Sequence, residues 1–509
     1  MLDPPKREVR LYASISRKSL FIAFFGSFGA ACSSYDPSQA AETDVEVTGA
    51  SEQALVGVPS GTKRQLVTSA DGNSETAAVQ AADGDLVVAY NSDDPQNVGY
   101  ANASDRYVCR GARGVSYGKS GLGYVQQQVA VPAGYAFLWG DPSMAGGLGR
   151  LAGTSDTLFL TTLASPLDRY KAAVATQNQG HCYHGGMDET NTPLAGACIA
   201  RSDDNGATFN IDPATDCVRD GDHFYDGGSA AVSGKVAYAA FWDTNRNNAA
   251  IWSTALGAHH AFTPVPRALR DGVVIGHPLI FGDPTGITLV VPTSRGYLLT
   301  QYTETAALWS LPVTISPATG VDTVTLRNGR AIRSIGGYAG AIGHSGTKDT
   351  ELWFVYSQNN ALGKAQLYSV NCQLHPSVSC GAATELTDPN SNAFLPAVGF
   401  ASSPVQGQPP AGYWQVSYQS DAGTNDPSVV KLRSSPLGVT PVSIRRTNDQ
   451  IACPDDRGYW GDYDAMVGID ATTVGGTPTF TRFMTDSTGA SCTHQMFNAS
   501  PQRVSAVSW

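Results

Sequence analysis

Paired runs of bulky and small residues constrain this chain more than any single motif in it. Seven bulky runs recur at intervals of about 50–80 residues. They are GDLVVAY (84–90), DTLFLTTL (156–163), KVAYAAFW (235–242), ITLVVPT (287–293), ELWFVYS (351–357), YWQVSY (413–418) and TFTRFMT (479–485). Their β-branched and aromatic side chains favour strands. Ahead of six of them stands a run of small residues: ETAAVQ (75–80), SMAGGLG (143–149), GGSAAV (227–232), YAGAIG (338–343), LPAVGF (395–400) and DAMVGI (464–469). Small side chains suit strands that converge on one axis, where bulky ones would collide. The next strand out has room for Phe, Trp and Tyr.

The pattern predicts an all-β chain, a β-propeller of seven blades, with six or eight as the neighbouring counts. Two β-sandwich domains are the rival architecture. An open ring leaves strand edges unpaired. RQLVTS (64–69) or RVSAVSW (503–509) is therefore expected to complete a blade shared by the two ends of the repeat. Composition agrees with a turn-rich β protein, since the 509 residues include 54 glycines and only 15% are charged.

Residues 17–32, RKSLFIAFFGSFGAAC, place two cations before a short apolar run, three small residues and Cys32. The run is too short for a lasting membrane span and reads as a secretory signal. It resembles a bacterial lipobox with Cys32 as the lipidated residue, although Gly29 stands where an aliphatic is usual. The expected organisation is a signal peptide over 1–31, a lipidated cysteine with a flexible acidic tether over 32–63, and the propeller over 64–509. The expected location is the bacterial cell envelope, lipid-anchored, or the secreted fraction. The formal net charge is −11, and residues 1–31 carry five of the cations against two acids. The acidic remainder argues against nucleic-acid binding and leaves a lipid anchor as the only route to a membrane.

Setting Cys32 aside leaves eight cysteines, an even number that suits four disulfides in an exported chain. The expected pairs are Cys182–Cys198 and Cys372–Cys380, which close short loops, and Cys453–Cys492 near the end. No C-x-x-C pair supports metal binding. HCYHGGMDE (181–189) has His and acids but no established ligand spacing, so neither metal nor cofactor is expected. Phosphate-loop, G-x-S-x-G and H-E-x-x-H motifs are absent from the sequence.

One loop carries a sharper signature. In RSDDNGATF (201–209), Ser202, Asp204, Gly206, Thr208 and Phe209 fit S-x-D-x-G-x-T-W/F. The Asp204 carboxylate can accept backbone N–H groups inside the turn. Gly206 permits positive φ, and Phe209 can bury its ring beneath the hairpin. This is the Asp box, and the chain resembles sialidase-like, Asp-box (BNR-repeat) propellers over about residues 64–509. RGYWGDYDAMVGID (457–470) adds to the likeness. The resemblance implies that the Asp box is structural and lies away from the active face. Sialidases of the family clamp a substrate carboxylate with three Arg, the first in an F/Y-R-I-P motif. No such motif occurs here, so no catalytic residue carries over.

A ligand is expected at the mouth of the central funnel, on loops leading into the innermost strands. Residues at those positions are Trp139, Asp141, His277, Arg333, Tyr338, Arg457, Trp460 and Tyr463 for binding. His223, Tyr225, Asp226 and Asp462 are the catalytic candidates, with Asp222 beside them. Aromatics can stack on sugar rings, and His with carboxylates can move protons. Each also has a plainer reading, as packing for the aromatics and turn fastening for the Asp residues. The leading expectation is a funnel that binds a glycan or an extracellular protein. A carbohydrate-active enzyme, either glycoside hydrolase or polysaccharide lyase, is the second reading. A structural envelope protein is the third.

Overall fold

The computed structural model describes residues 62–66, 73–92, 114–149, 153–168, 196–218, 223–256, 261–317, 320–321, 323–326, 329, 331–333, 337–344, 350–421, 428–434, 443–450, 464–486 and 503–508. The chain divides into units 1–45 and 46–509, and every described residue belongs to the second. The second unit is built from antiparallel sheets, most of them meanders of consecutive strands. Among the described residues, seven sheets have four or five strands, and a two-stranded hairpin stands between the fourth and fifth. Also among the described residues, no helix is long and apolar enough to cross a membrane.

The sheets are numbered I to VII in the order of their first strands. These are Asn73–Gln80, Tyr135–Gly149, Tyr225–Ser233, Leu279–Asp283, Tyr338–His344, Ala393–Val405 and Ala465–Ile469. The small-residue runs fall on six of them. Leu279–Asp283, with Ile280 and Phe281, has no such run and was not anticipated. The bulky runs are the seven second strands, which carry much of the buried apolar surface, including Tyr90, Phe159, Phe241, Phe354 and Trp414. Each first strand contacts the first strand of the next sheet, and that of VII contacts that of I. This succession follows the propeller plan.

Sheet VII takes strands from both ends. Arg503–Ser508 lies between Thr479–Asp486 and Thr62–Gln65, with Thr62 opposite Ser508. Both terminal runs take part, where one had been expected.

Near the convergence the backbones approach too closely for side chains. A Cβ on Gly282 in sheet IV would lie 1.8 Å from the Val232 carbonyl oxygen of sheet III. Hydroxyl groups tie neighbouring first strands together. Ala230 N–H donates to Ser143 Oγ (3.1 Å), Ile280 N–H to Ser229 Oγ (3.0 Å), and Ala465 N–H to Thr76 Oγ1 (3.1 Å).

Cys372–Cys380 forms as expected, joining opposed residues of adjacent strands. Cys198 corrects the other assignment, because its partner is Cys217 and not Cys182. Cys198 and Cys217 sit directly opposite each other in antiparallel strands, with Cα atoms 4.1 Å apart, so pairing register decides the bond. Cys32, Cys182, Cys453 and Cys492 lie outside the described residues.

Candidate functional site

The first strands of sheets I, II, III and VI each carry a β-bulge near their N-terminal ends. At these bulges Glu75, Asp141, Gly227 and Leu395 take φ between 47° and 53°. A bulge re-aims side chains at the rim of a sheet. The bulges in I to III bring Glu75, Asp141 and Asp226 together, and His277, in the segment leading into IV, joins them.

The local reasons can be read residue by residue. Gly140 has φ 104°, and a Cβ there would meet Asn91 Oδ1 at 2.3 Å. The missing side chain lets Asn91 accept the Asp141 N–H (2.9 Å) and donate through Nδ2 to Glu75 Oε2 (2.6 Å). Gly227 N–H donates to Asp141 Oδ2 (3.2 Å) and to its neighbour Asp226 Oδ1 (3.1 Å). A Cβ on Gly227 would fall 2.1 Å from His277 Cγ, so the imidazole needs a glycine beneath it. His277 Nε2 faces Asp226 Oδ2 at 3.7 Å, and the Tyr338 hydroxyl donates to the His277 carbonyl (2.6 Å).

The ligand atoms of Asp141, Asp226 and His277 all lie within 4.8 Å of one another, a spacing that could also admit a metal ion. Asp226 keeps 33% of its side chain open, so the group is recessed but reachable. Its two carboxyls are driven apart in proton affinity. Burial pushes Asp141 up, and the charge of Asp226 pushes it further. Burial also works against ionised Asp226, but the hydrogen bond and charge of His277 outweigh it and hold that carboxyl down.

The first strands converge on a cavity of about 220 Å³. It is lined from all seven sheets, with His277 at one wall and Asp464 at another. Thr76, Ser143 and Ser229 supply hydroxyls, while Pro142, Met144 and Leu279 supply apolar surface. Asp464 pairs with the buried Arg482. That guanidinium also donates to Ser417 Oγ (3.0 Å) and the Leu395 carbonyl (2.9 Å). The hairpin Thr323–Thr325/Ala331–Arg333 covers the N-terminal end of the sheet VI first strand. There Val324 and Leu326 pack on Phe394 and Leu395, and Asn392 Nδ2 donates to the Thr325 carbonyl (2.8 Å).

Of the residues singled out by sequence, Asp141, Asp226, His277 and Tyr338 come together. His223 and Tyr225 do not join them. His223 is buried, stacked on Tyr225 and bonded through Nδ1 to Asp243 Oδ2 at 2.5 Å. Trp139 lies in the first strand of sheet II and Arg333 in the hairpin, described by backbone position alone. Asp222, Arg457, Trp460, Asp462 and Tyr463 fall outside the described residues.

Glu75 and Asp464 were missed. Each heads a small-residue run, ETAAVQ or DAMVGI, and an acid in that place was the available signal. Trp-Gly-Asp also occurs twice ahead of a small-residue run, at 139–141 and 460–462.

The loop at 202–209 closes through its own side chains. Thr208 N–H and Oγ1–H donate to Asp204 Oδ1 and Oδ2 (2.9 and 2.7 Å), and Ser202 Oγ–H donates to Asp204 Oδ1 (2.7 Å). Gly206 has φ 81°, and the buried Phe209 meets Tyr117 edge-on.

No protein-family model matches the chain, and no curated protein matches it in sequence. Solved structures do resemble it. The Hadza microbial sialidase Hz136 matches at a TM-score of 0.40 and 11% identity, over 86% of this chain and 65% of that one. A protein of unknown function from Dyadobacter fermentans matches at 0.42 and 10%, over 89% and 99%. The NanB sialidase from Streptococcus pneumoniae matches at 0.40 and 8%, over 76% and 69%. The chain thus spans slightly under two thirds of the length of Hz136. Likenesses this remote carry nothing about activity.

Proposed function

We propose that this chain is an exported, lipid-anchored, sialidase-like propeller of seven closed blades that binds a glycan at its central cavity. Export rests on the leader and is supported by the two disulfides. The count of seven rests on the seven sheets and on the contact between the first strands of VII and I. One observation carries the binding reading: a single cavity lined from all seven sheets offers hydroxyls, the His277 ring, the Asp464 carboxylate and apolar walls. Hydroxyl-rich rings need hydrogen-bond acceptors for their O–H groups and apolar surface for their C–H faces.

A glycan array probed with the purified protein tests this. Binding is expected, with loss of at least ten-fold in affinity for Asp141→Asn/Asp226→Asn. Silence across the array would remove the reading.

The opposed proton affinities of Asp141 and Asp226 favour a second reading, a glycoside hydrolase with Asp141 as acid. Their carboxyls approach closely enough to interact directly, nearer than the ~5–5.5 Å separation of retaining enzymes. Binding without turnover is therefore preferred. A reducing-sugar assay decides, since release of sugar that both single Asn variants abolish would favour the enzyme.

A further inference from the structure

We infer that Asp141, Asp226 and His277 form a binding site for one divalent transition-metal ion of the zinc class. A metal there neither needs nor implies a glycan ligand. The donors come from three separate segments: Asp141 and Asp226 at the bulges of II and III, and His277 ahead of the first strand of IV. No single turn accounts for their meeting. Their ligand atoms all lie within 4.8 Å of one another. Two carboxylates and an imidazole make a mixed donor set. His277 is only 8% exposed, and its Nε2 is directed at the carboxyls, 3.7 Å from Asp226 Oδ2. That gap is wider than the ~2.7–2.9 Å of a close charge-assisted hydrogen bond. It approaches the ~3.4 Å between two ligands of a tetrahedral ion with bonds of about 2.0–2.1 Å.

The surroundings hold these donors in place. Gly227 N–H donates to Asp141 Oδ2 and to Asp226 Oδ1, while Asp226 Oδ2 faces the ring. The ring itself occupies the space that a Cβ on residue 227 would fill. Behind Asp141, Glu75 hydrogen-bonds with its carboxyl, and Asn91 ties Glu75 Oε2 to the Asp141 N–H. Outer partners of this kind orient metal ligands. A divalent ion between Asp141 and Asp226 would turn the repulsion of two carboxylates into a shared attraction. Asp226 keeps 33% of its side chain open, a side from which water or a ligand oxygen can reach the ion. Imidazole suits zinc and its transition-metal neighbours, whereas calcium prefers about six to eight oxygens.

The experiment is calorimetric titration of the full chain with zinc, and in parallel with calcium, after EDTA treatment and removal of the chelator. About one Zn2+ per chain should bind, at least about ten-fold more tightly than Ca2+. Asp226→Asn should weaken zinc at least about ten-fold while its melting temperature in EDTA stays near that of the parent. His277→Gln serves as the second variant should the first lose its fold. Cobalt(II) in place of zinc should give the visible d–d absorption of an ion bound in low symmetry, and both variants should lose it. Replacing His181 and His184 together by Ala, in the motif outside the described residues, should change none of these readings.

Zinc uptake that is missing, or that survives both Asp226→Asn and His277→Gln unchanged, would overturn the inference. So would calcium binding as tightly as zinc, or uptake that only the His181/His184 double variant removes. Each of those results leaves the glycan reading standing, and a silent glycan array leaves the metal site standing.

Discussion

Asp204 shows how much one side chain can fix. Its carboxylate accepts the amide and hydroxyl of Thr208 and the hydroxyl of Ser202. Burial alone would raise this carboxyl, but those hydrogen bonds hold it below the ordinary Asp value. A depressed folded-state pKa adds stability above the unfolded value of about 3.9, and that stability is lost as pH falls through the folded value. Asp204→Ala should therefore lower stability by about 1–2 kcal/mol at pH 7. In thermal melts the gap from the parent should shrink below about pH 4. Arg482 is the opposite case, a buried cation held by Asp464. Arg482→Met strands that carboxylate and should cost about 3–5 kcal/mol, measured by denaturant unfolding. The turn at 202–209 was legible because its hydrogen-bond partners lie within a few residues. The group of Glu75, Asp141, Asp226 and His277 was legible only in pieces. Asp141, Asp226 and His277 could be chosen for their place ahead of inner strands, but their meeting depends on bulges in separate sheets. His223 looked equally suitable and is turned inward, towards Asp243.

At the scale of elements, the alternation of small and bulky runs worked because it records distance from the convergence. First strands must approach closely, as at Gly282 and Val232, and second strands fill the space between sheets. Gly282→Ala should force backbone movement and cost about 1–3 kcal/mol, read as a lowered melting temperature. The sheet IV first strand escaped notice because Leu279, Ile280 and Phe281 break the small-residue rule. The hairpin at 323–333 belongs to no repeat and left no periodic trace. Loop length was the wrong guide to the Cys198 partner, which cross-strand register sets. Replacing Cys198 and Cys217 together by Ser should cost about 3 kcal/mol. Reduction should cost the parent more than the double variant, which keeps Cys372–Cys380, by a similar amount.

Across the whole molecule, neighbouring sheets are tied through first-strand hydroxyls as well as apolar packing. Sheet VII depends on segments more than 400 residues apart in the chain, Thr62–Gln65 and Arg503–Ser508. Deleting residues 503–509 would leave the strands at 62–65 and 479–486 without their shared partner. The truncated protein should form soluble oligomers or aggregates through those edges, visible by size-exclusion chromatography with light scattering. Composition and periodicity reached the architecture; they could not reach which terminal run completed the last sheet, since both are strand-like and pairing is non-local.

That shared sheet also sets a clock on maturation. Six meanders can assemble as their segments emerge, each from neighbours in the sequence. The seventh must wait for residue 508 to leave the ribosome or a translocation pore, then recapture a strand made more than 400 residues earlier. Until that moment the nascent chain carries an unsatisfied strand edge, so its window of greatest vulnerability to misassembly stays open until Arg503–Ser508 emerges.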